Sequence, residues 1–107
     1  MNLVSYEEFK KTDSYQTFIK ENPSTGTLKV EVFTAYQAIP ISDTDIIITK
    51  DIDNQKVLFF VGKTDSSGVI SNIKLPSPEE DKDYKPGSPP KSTVYDVTAI
   101  HEGFEKI

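Results

Sequence analysis

His101 is the only histidine in the chain, and the chain has no cysteine. Thiolate nucleophiles, thiolate zinc sites and disulfides are therefore excluded. A Ser–His–Asp triad is one reading of His101, but no nucleophile-elbow G-x-S-x-G stretch accompanies it. His101 is read as an exposed residue beside a strand end. Asp51-Ile-Asp-Asn-Gln55 opens like a calcium loop, but Lys56 stands where the loop needs its sixth-position glycine and Gly62 where it needs a bidentate glutamate. A hairpin tip explains these residues better. Asp43 and Asp45 flank Thr44 and suit a turn and a strand entry. Glu79 and Glu80 fall in a proline-rich stretch that would hold paired carboxylates too loosely for glycoside cleavage. Tyr84, near Pro86-Gly-Ser-Pro-Pro90, could stack on a sugar ring or dock a partner, although packing on its own prolines is the plainer reading. No catalytic residue, cofactor site or metal site is expected.

The elements that must position these residues are constrained by size and composition. A chain of 107 residues supports one domain with a single modest core. Six Phe and five Tyr argue against a disordered chain. The net charge of −5, carried with twelve Lys and no Arg, argues against nucleic acid, since no basic patch is visible. No apolar run approaches the roughly 20 residues of a membrane span. The opening Met-Asn-Leu-Val-Ser-Tyr-Glu-Glu lacks the basic and apolar regions of a secretory signal.

Residues 5–20 read as two short helical pieces, or one helix bent near Asp13. Ser5 and Glu8 form a capping box, with Val4 and Phe9 at the staple positions, and Asn22-Pro23 ends the segment. From Gly26 the period becomes two, with Leu28, Val30 and Val32 alternating with Thr27, Lys29 and Glu31. Ala38-Ile-Pro-Ile41 is an edge segment or a connection, because proline breaks it. Asp45–Ile52 is a β-branched strand, Asp53-Asn-Gln55 a turn and Lys56–Thr64 the returning strand. Val57-Leu-Phe-Phe-Val61 is apolar on both faces, so one face should meet a core and the aromatic N-terminal helix should cover the other. Asp65 should cap a tight hairpin turn, with Gly68 left-handed at its end. A strand from Gly68 to Leu75 should then stop at Pro76. Residues 76–93 hold five of the seven prolines and read as a long polar loop. Tyr95-Asp-Val-Thr-Ala99 is the last strand, with Tyr95, Val97 and Ala99 on one face.

Taken in order, Gly26-Thr-Leu-Lys-Val-Glu-Val, Ala38-Ile-Pro-Ile, Asp45-Ile-Ile-Ile, Thr64-Asp-Ser-Ser-Gly-Val, Leu75-Pro, Tyr95-Asp-Val and Gly103-Phe resemble the carboxypeptidase-regulatory-like group. These are transthyretin-like (prealbumin-like) sandwiches, related to the Cna protein B-type domains. More narrowly, the chain is similar to uncharacterised Firmicutes domains, some in proteins tied to the spore cortex or to peptidoglycan lysis. The resemblance implies a mainly β, Greek-key sandwich with a short N-terminal helical segment. It also implies a scaffold, spacer or interaction module. B-type domains often cross-link a buried lysine to an asparagine, and Lys29 lies where that lysine would be expected. Alternation points Lys29 outward, however, and no Asn follows Asn72. Asp43 replaces the usual turn glycine, and the family's final strand has no obvious counterpart.

The expected organisation is a helical extension over 1–25 and a sandwich over 26–107. The expected function is a non-enzymatic module for protein–protein assembly, in a spore- or cell-envelope-associated protein. Residues 1–25, a partner chain or a second copy would cover an open sheet edge or the apolar face around Leu58 and Phe60. The alternative is a cell-wall glycan or peptidoglycan binder acting through Tyr84.

Overall fold

The β-branched run Ile46-Ile47-Ile48 sits in the central part of the larger of two sheets, as its strand propensity suggests. The computed structural model describes residues 2–34, 39–78 and 93–101. Its elements are β1 (Asn2–Ser5), α1 (Tyr6–Phe9), α2 (Asp13–Glu21), β2 (Ser24–Glu31), β3 (Asp45–Ile52), β4 (Gln55–Lys63), β5 (Val69–Ser77) and β6 (Asp96–Ile100). Sheet A has the order β1-β4-β3-β6, and sheet B pairs β2 with β5. The chain is thus mainly β, in two sheets, with small N-terminal helices.

Local chemistry accounts for most element ends. The Glu8 amide donates to Ser5 Oγ at 3.1 Å, which caps α1. The helical segment divides at Thr12, the N-cap of α2, and Asn22 closes it with its side-chain amide on the Phe18 carbonyl. Asp53 and Asn54 both have positive φ, 48° and 64°, as a two-residue hairpin turn between β3 and β4 requires. Asp65 Oδ1 accepts from the amides of Ser67 and Val69, and Gly68 takes a φ of 73°. A Cβ on Gly68 would come within 2.6 Å of the Val32 carbonyl oxygen. Asp43, standing where the resemblance has glycine, keeps a left-handed φ of 54°.

Several expectations are corrected. The Asp65–Gly68 turn is no hairpin within one sheet, since it carries the chain from β4 in sheet A to β5 in sheet B. Pro76 does not stop its strand. It lies inside β5 opposite Thr25, a position open to proline because each strand of a two-stranded sheet is an edge. Residues Asn2–Ser5, expected to lead into a helix, form a strand parallel to β4. The first long strand begins at Ser24, two residues before Gly26.

The largest correction concerns the faces of β4. Between Ile48 and Thr49 the register on β4 skips a residue, pairing Ile48 with Phe60 and Thr49 with Leu58. Phe59 is the extra residue of a β-bulge, and a bulge resets alternation. Leu58 and Val61 therefore share one face, while Phe60 turns with Gly62 toward sheet B. A Cβ on Gly62 would lie 2.7 Å from Phe60 Cζ and 2.6 Å from Ile70 Cδ1. Phe60 packs against Val32, Ile46, Ile48, Ile73 and Leu75, the core between the sheets. Leu58 and Phe60 do not form one outer patch.

The helices also lie elsewhere than expected. Phe9 and Phe18 bury Val57 and pack on Ile52 and Phe59. By register, Val57 and Ile52 are on the same face of sheet A as Ile46 and Ile48. Helices and sheet B thus divide one inner face between them, and Phe59 touches both clusters. Its ring lies 4.8 Å from Tyr6, 5.7 Å from Phe18 and 5.1 Å from Tyr95. A second bulge serves sheet B. Leu28 pairs with Ile73 but Val30 with Ile70, and Asn72 in between has a φ of 60°. That irregularity lets Ile70 and Ile73 both reach the core.

Candidate interaction surface

What remains of sheet A is its outer face. Register assigns to it Leu3 of β1, Lys56, Leu58, Val61 and Lys63 of β4, Ile47, Thr49 and Asp51 of β3, and Thr98 and Ile100 of β6. Leu3 is 64% exposed, Val61 58% and Ile100 39%, while Leu58 and Ile47 are half-buried among their neighbours. An apolar band thus crosses a sheet whose inner face is already filled. The outer face of sheet B carries Thr25, Thr27, Lys29, Glu31 and Lys74, all exposed. Lys74 donates to Thr27 Oγ1, and Lys29 pairs with Glu31 at 2.8 Å. That hydrogen bond to Glu31, with the charge behind it, raises the Lys29 pKa. Lys29 therefore points to solvent, as alternation predicts, and is placed outside the buried setting a lysine cross-link requires.

His101 is half-buried rather than simply exposed. With Asp43, Asp45 and Lys63 it lines a hollow of about 430 Å³. Lys63 Nζ lies 3.5 Å from Asp45 Oδ1. A concave site holding His101 with carboxylates therefore exists, but among the described residues no hydroxyl side chain lines it to act as nucleophile. Among the described residues no group of three or more His, Asp and Glu could hold a metal ion. Asp51 and Asp53 lie at the exposed hairpin end, the turn expected in place of a calcium loop.

Sequence reasoning missed two buried threonines beside that hollow. Thr64 Oγ1 accepts from the Thr44 amide at 3.0 Å and donates to the Ile41 carbonyl at 2.8 Å. The Thr64 amide donates back to Thr44 O. These bonds tie the entry of β3 to the exit of β4, and only the long-range pairing makes the two threonines partners. A second hollow, of about 680 Å³, opens between α2 and the hairpin end of β3, with Glu21, Asn22, Lys50 and Thr93 among its walls. There the Thr93 hydroxyl donates to Asn22 Oδ1, and Lys50 Nζ donates to Val94 O at 2.8 Å.

Burial acts on two tyrosines of the inner face. The Tyr6 hydroxyl is pushed up to about 12, first by desolvation and then by Tyr15 and Glu7. Desolvation also raises Tyr95, whose hydroxyl donates to the Pro76 carbonyl at 2.6 Å. Both are kept neutral by packing, which suits a structural role.

Tyr84, Glu79, Glu80, Gly103 and Phe104 lie outside the described residues. No helix among the described residues is long and apolar enough to cross a membrane. No family model, no curated protein and no solved structure matches the chain. The resemblance to transthyretin-like domains therefore rests on the sequence motifs alone.

Proposed function

We propose that this chain is a non-enzymatic interaction module, built on a Greek-key, transthyretin-like sandwich, that assembles with protein through the outer face of sheet A. The observation that carries the reading is the apolar band of Leu3, Leu58, Val61, Ile47 and Ile100 on a face that neither sheet B nor the helices occupy. Surfaces of this kind, rimmed by charge, are characteristic of contact sites. The Greek-key reading is supported by β5, which returns to pair with β2 after the β3–β4 hairpin has run through the other sheet. No observation favours the glycan-binding alternative, since Tyr84 lies outside the described residues.

A photo-crosslinking residue placed at Val61, in cells that make the protein, tests the reading. Covalent adducts should form from Val61, be lost when Leu58→Glu is added, and be absent when the probe sits at Thr27 on sheet B. Equal labelling from both positions would refute a dedicated surface on sheet A.

A further inference from the structure

Charge on the outer face of sheet A is sorted by strand. Lys56 and Lys63 lie on β4, Asp45 and Asp51 on β3, and Asp96 on β6. The ladder sets Lys56 beside Asp51 and Lys63 beside Asp45. Between these two charged rungs stand Leu58, Val61, Ile47 and Thr49. The face therefore has an apolar middle, a basic column and an acidic column.

Such a pattern is complementary to itself under a two-fold axis that runs parallel to the strands, midway between β3 and β4. That rotation lays β4 of one copy over β3 of another at the same height. Lys63 then faces Asp45 of the second copy, Lys56 faces Asp51, and Val61 meets Ile47, each contact occurring twice. An in-plane axis across the strands would instead set Lys56 against Lys63 and Asp45 against Asp51, which repel.

We infer that the occupant of this face is a second copy of the same chain, packed sheet to sheet with the strands aligned. The inference rests on the proposed assembly function and names its partner. Aligned sheets pack about 10 Å apart with a twist of about 30°. Under that rotation β3 and β4 overlie their counterparts along the whole ladder, while β1 and β6 sit at opposite ends of it and overlap only at the Ser5–Asp96 level, so the contact buries on the order of 500 Å². That is below the size of a stable interface, so the dimer is a weak one that forms at high concentration and dissociates on dilution.

Charge exchange tests the pairing on the full chain. Lys63→Asp and Asp45→Lys should each weaken dimerisation at least tenfold in sedimentation equilibrium, with unchanged circular dichroism. An equimolar mixture of the two variants should recover a dimer, seen by native mass spectrometry as the mixed species, because each like-charge contact between copies becomes an opposite one. Lys29→Glu and Glu31→Lys make the same charge changes on sheet B and should leave the dimer intact. Equal weakening by the sheet B variants, or no preference for the mixed species, would overturn the pairing. A wild-type chain that stays monomeric up to millimolar concentration would overturn it too. In that case the Val61 probe separates the two readings. Adducts to a different protein would leave the assembly reading standing, and no adduct at all would remove both.

Discussion

The outer faces of the two sheets were built to different rules. Sheet B shows water Thr25, Thr27, Lys29, Glu31 and Lys74, with the half-buried Val69 and Pro76 among them. Sheet A shows water Leu3, Val61 and Ile100. Sheet B buries its inner face against sheet A, whose own inner face is divided between sheet B and the helices. The polarity of sheet B is what a solvated face looks like, and it makes the apolar band of sheet A a requirement of something other than folding.

That contrast holds only while both sheets share one interior, and opening the interior should have the largest effect. Ile48, fully buried between the sheets, should lose about 3 kcal/mol of stability as Ile48→Ala in urea unfolding. A loss below about 1 kcal/mol would mean that the sheets are not filled in common. Next in size is the crossover between them. Gly68→Ala should cost about 2 kcal/mol, because the new Cβ meets the Val32 carbonyl in a backbone region that side chains avoid. Asp65→Ala strips the carboxylate from two amides of the same turn and should cost about 1 kcal/mol.

A gentler test uses pH. Tyr6 and Tyr95 have pKa values raised by folding, so their contribution is complete below pH 10, the ordinary tyrosine value, and is lost as pH rises through the folded values. Stability should therefore decline between pH 10 and about 12, and Tyr6→Phe should flatten the decline. An unchanged slope in that variant would show that Tyr6 is not held neutral by the fold. The smallest effects on folding belong to the outer faces. Val61→Thr and Thr25→Val should each alter monomer stability by less than about 0.5 kcal/mol. Only Val61→Thr should change association with concentration. If Thr25→Val changed it equally, the difference between the faces would have no functional meaning.

Much of the local structure was legible in the residues. Asp45–Ile52 reads as a strand because three consecutive isoleucines favour extended backbone between acidic ends, and it forms with those bounds. Ser5 and Glu8 mark a helix start, Asp53-Asn54 a hairpin tip, and Asp65 with Gly68 a turn, since each is settled by atoms a few residues apart. Asn2–Ser5 was not legible as a strand, because four residues carry too short a pattern and their pairing lies with β4, some fifty positions on. The Phe59 bulge was hidden for a similar reason. Val57–Val61 is apolar at every position, so nothing in the chain says where alternation is reset.

Where the chain extends, where it turns and which segments are rich enough in apolar side chains to be buried follow from the order of its residues alone. Its lack of cysteine also leaves no thiol for chemistry. Long-range packing, by contrast, sets the helices beside sheet B on the inner face, points Phe60 inward and leaves Leu58 and Val61 together outside. The physical reason is that turns and caps are satisfied by neighbouring backbone groups. Which side of a strand is buried depends on what distant segments pack against it, and a single inserted residue exchanges the two sides.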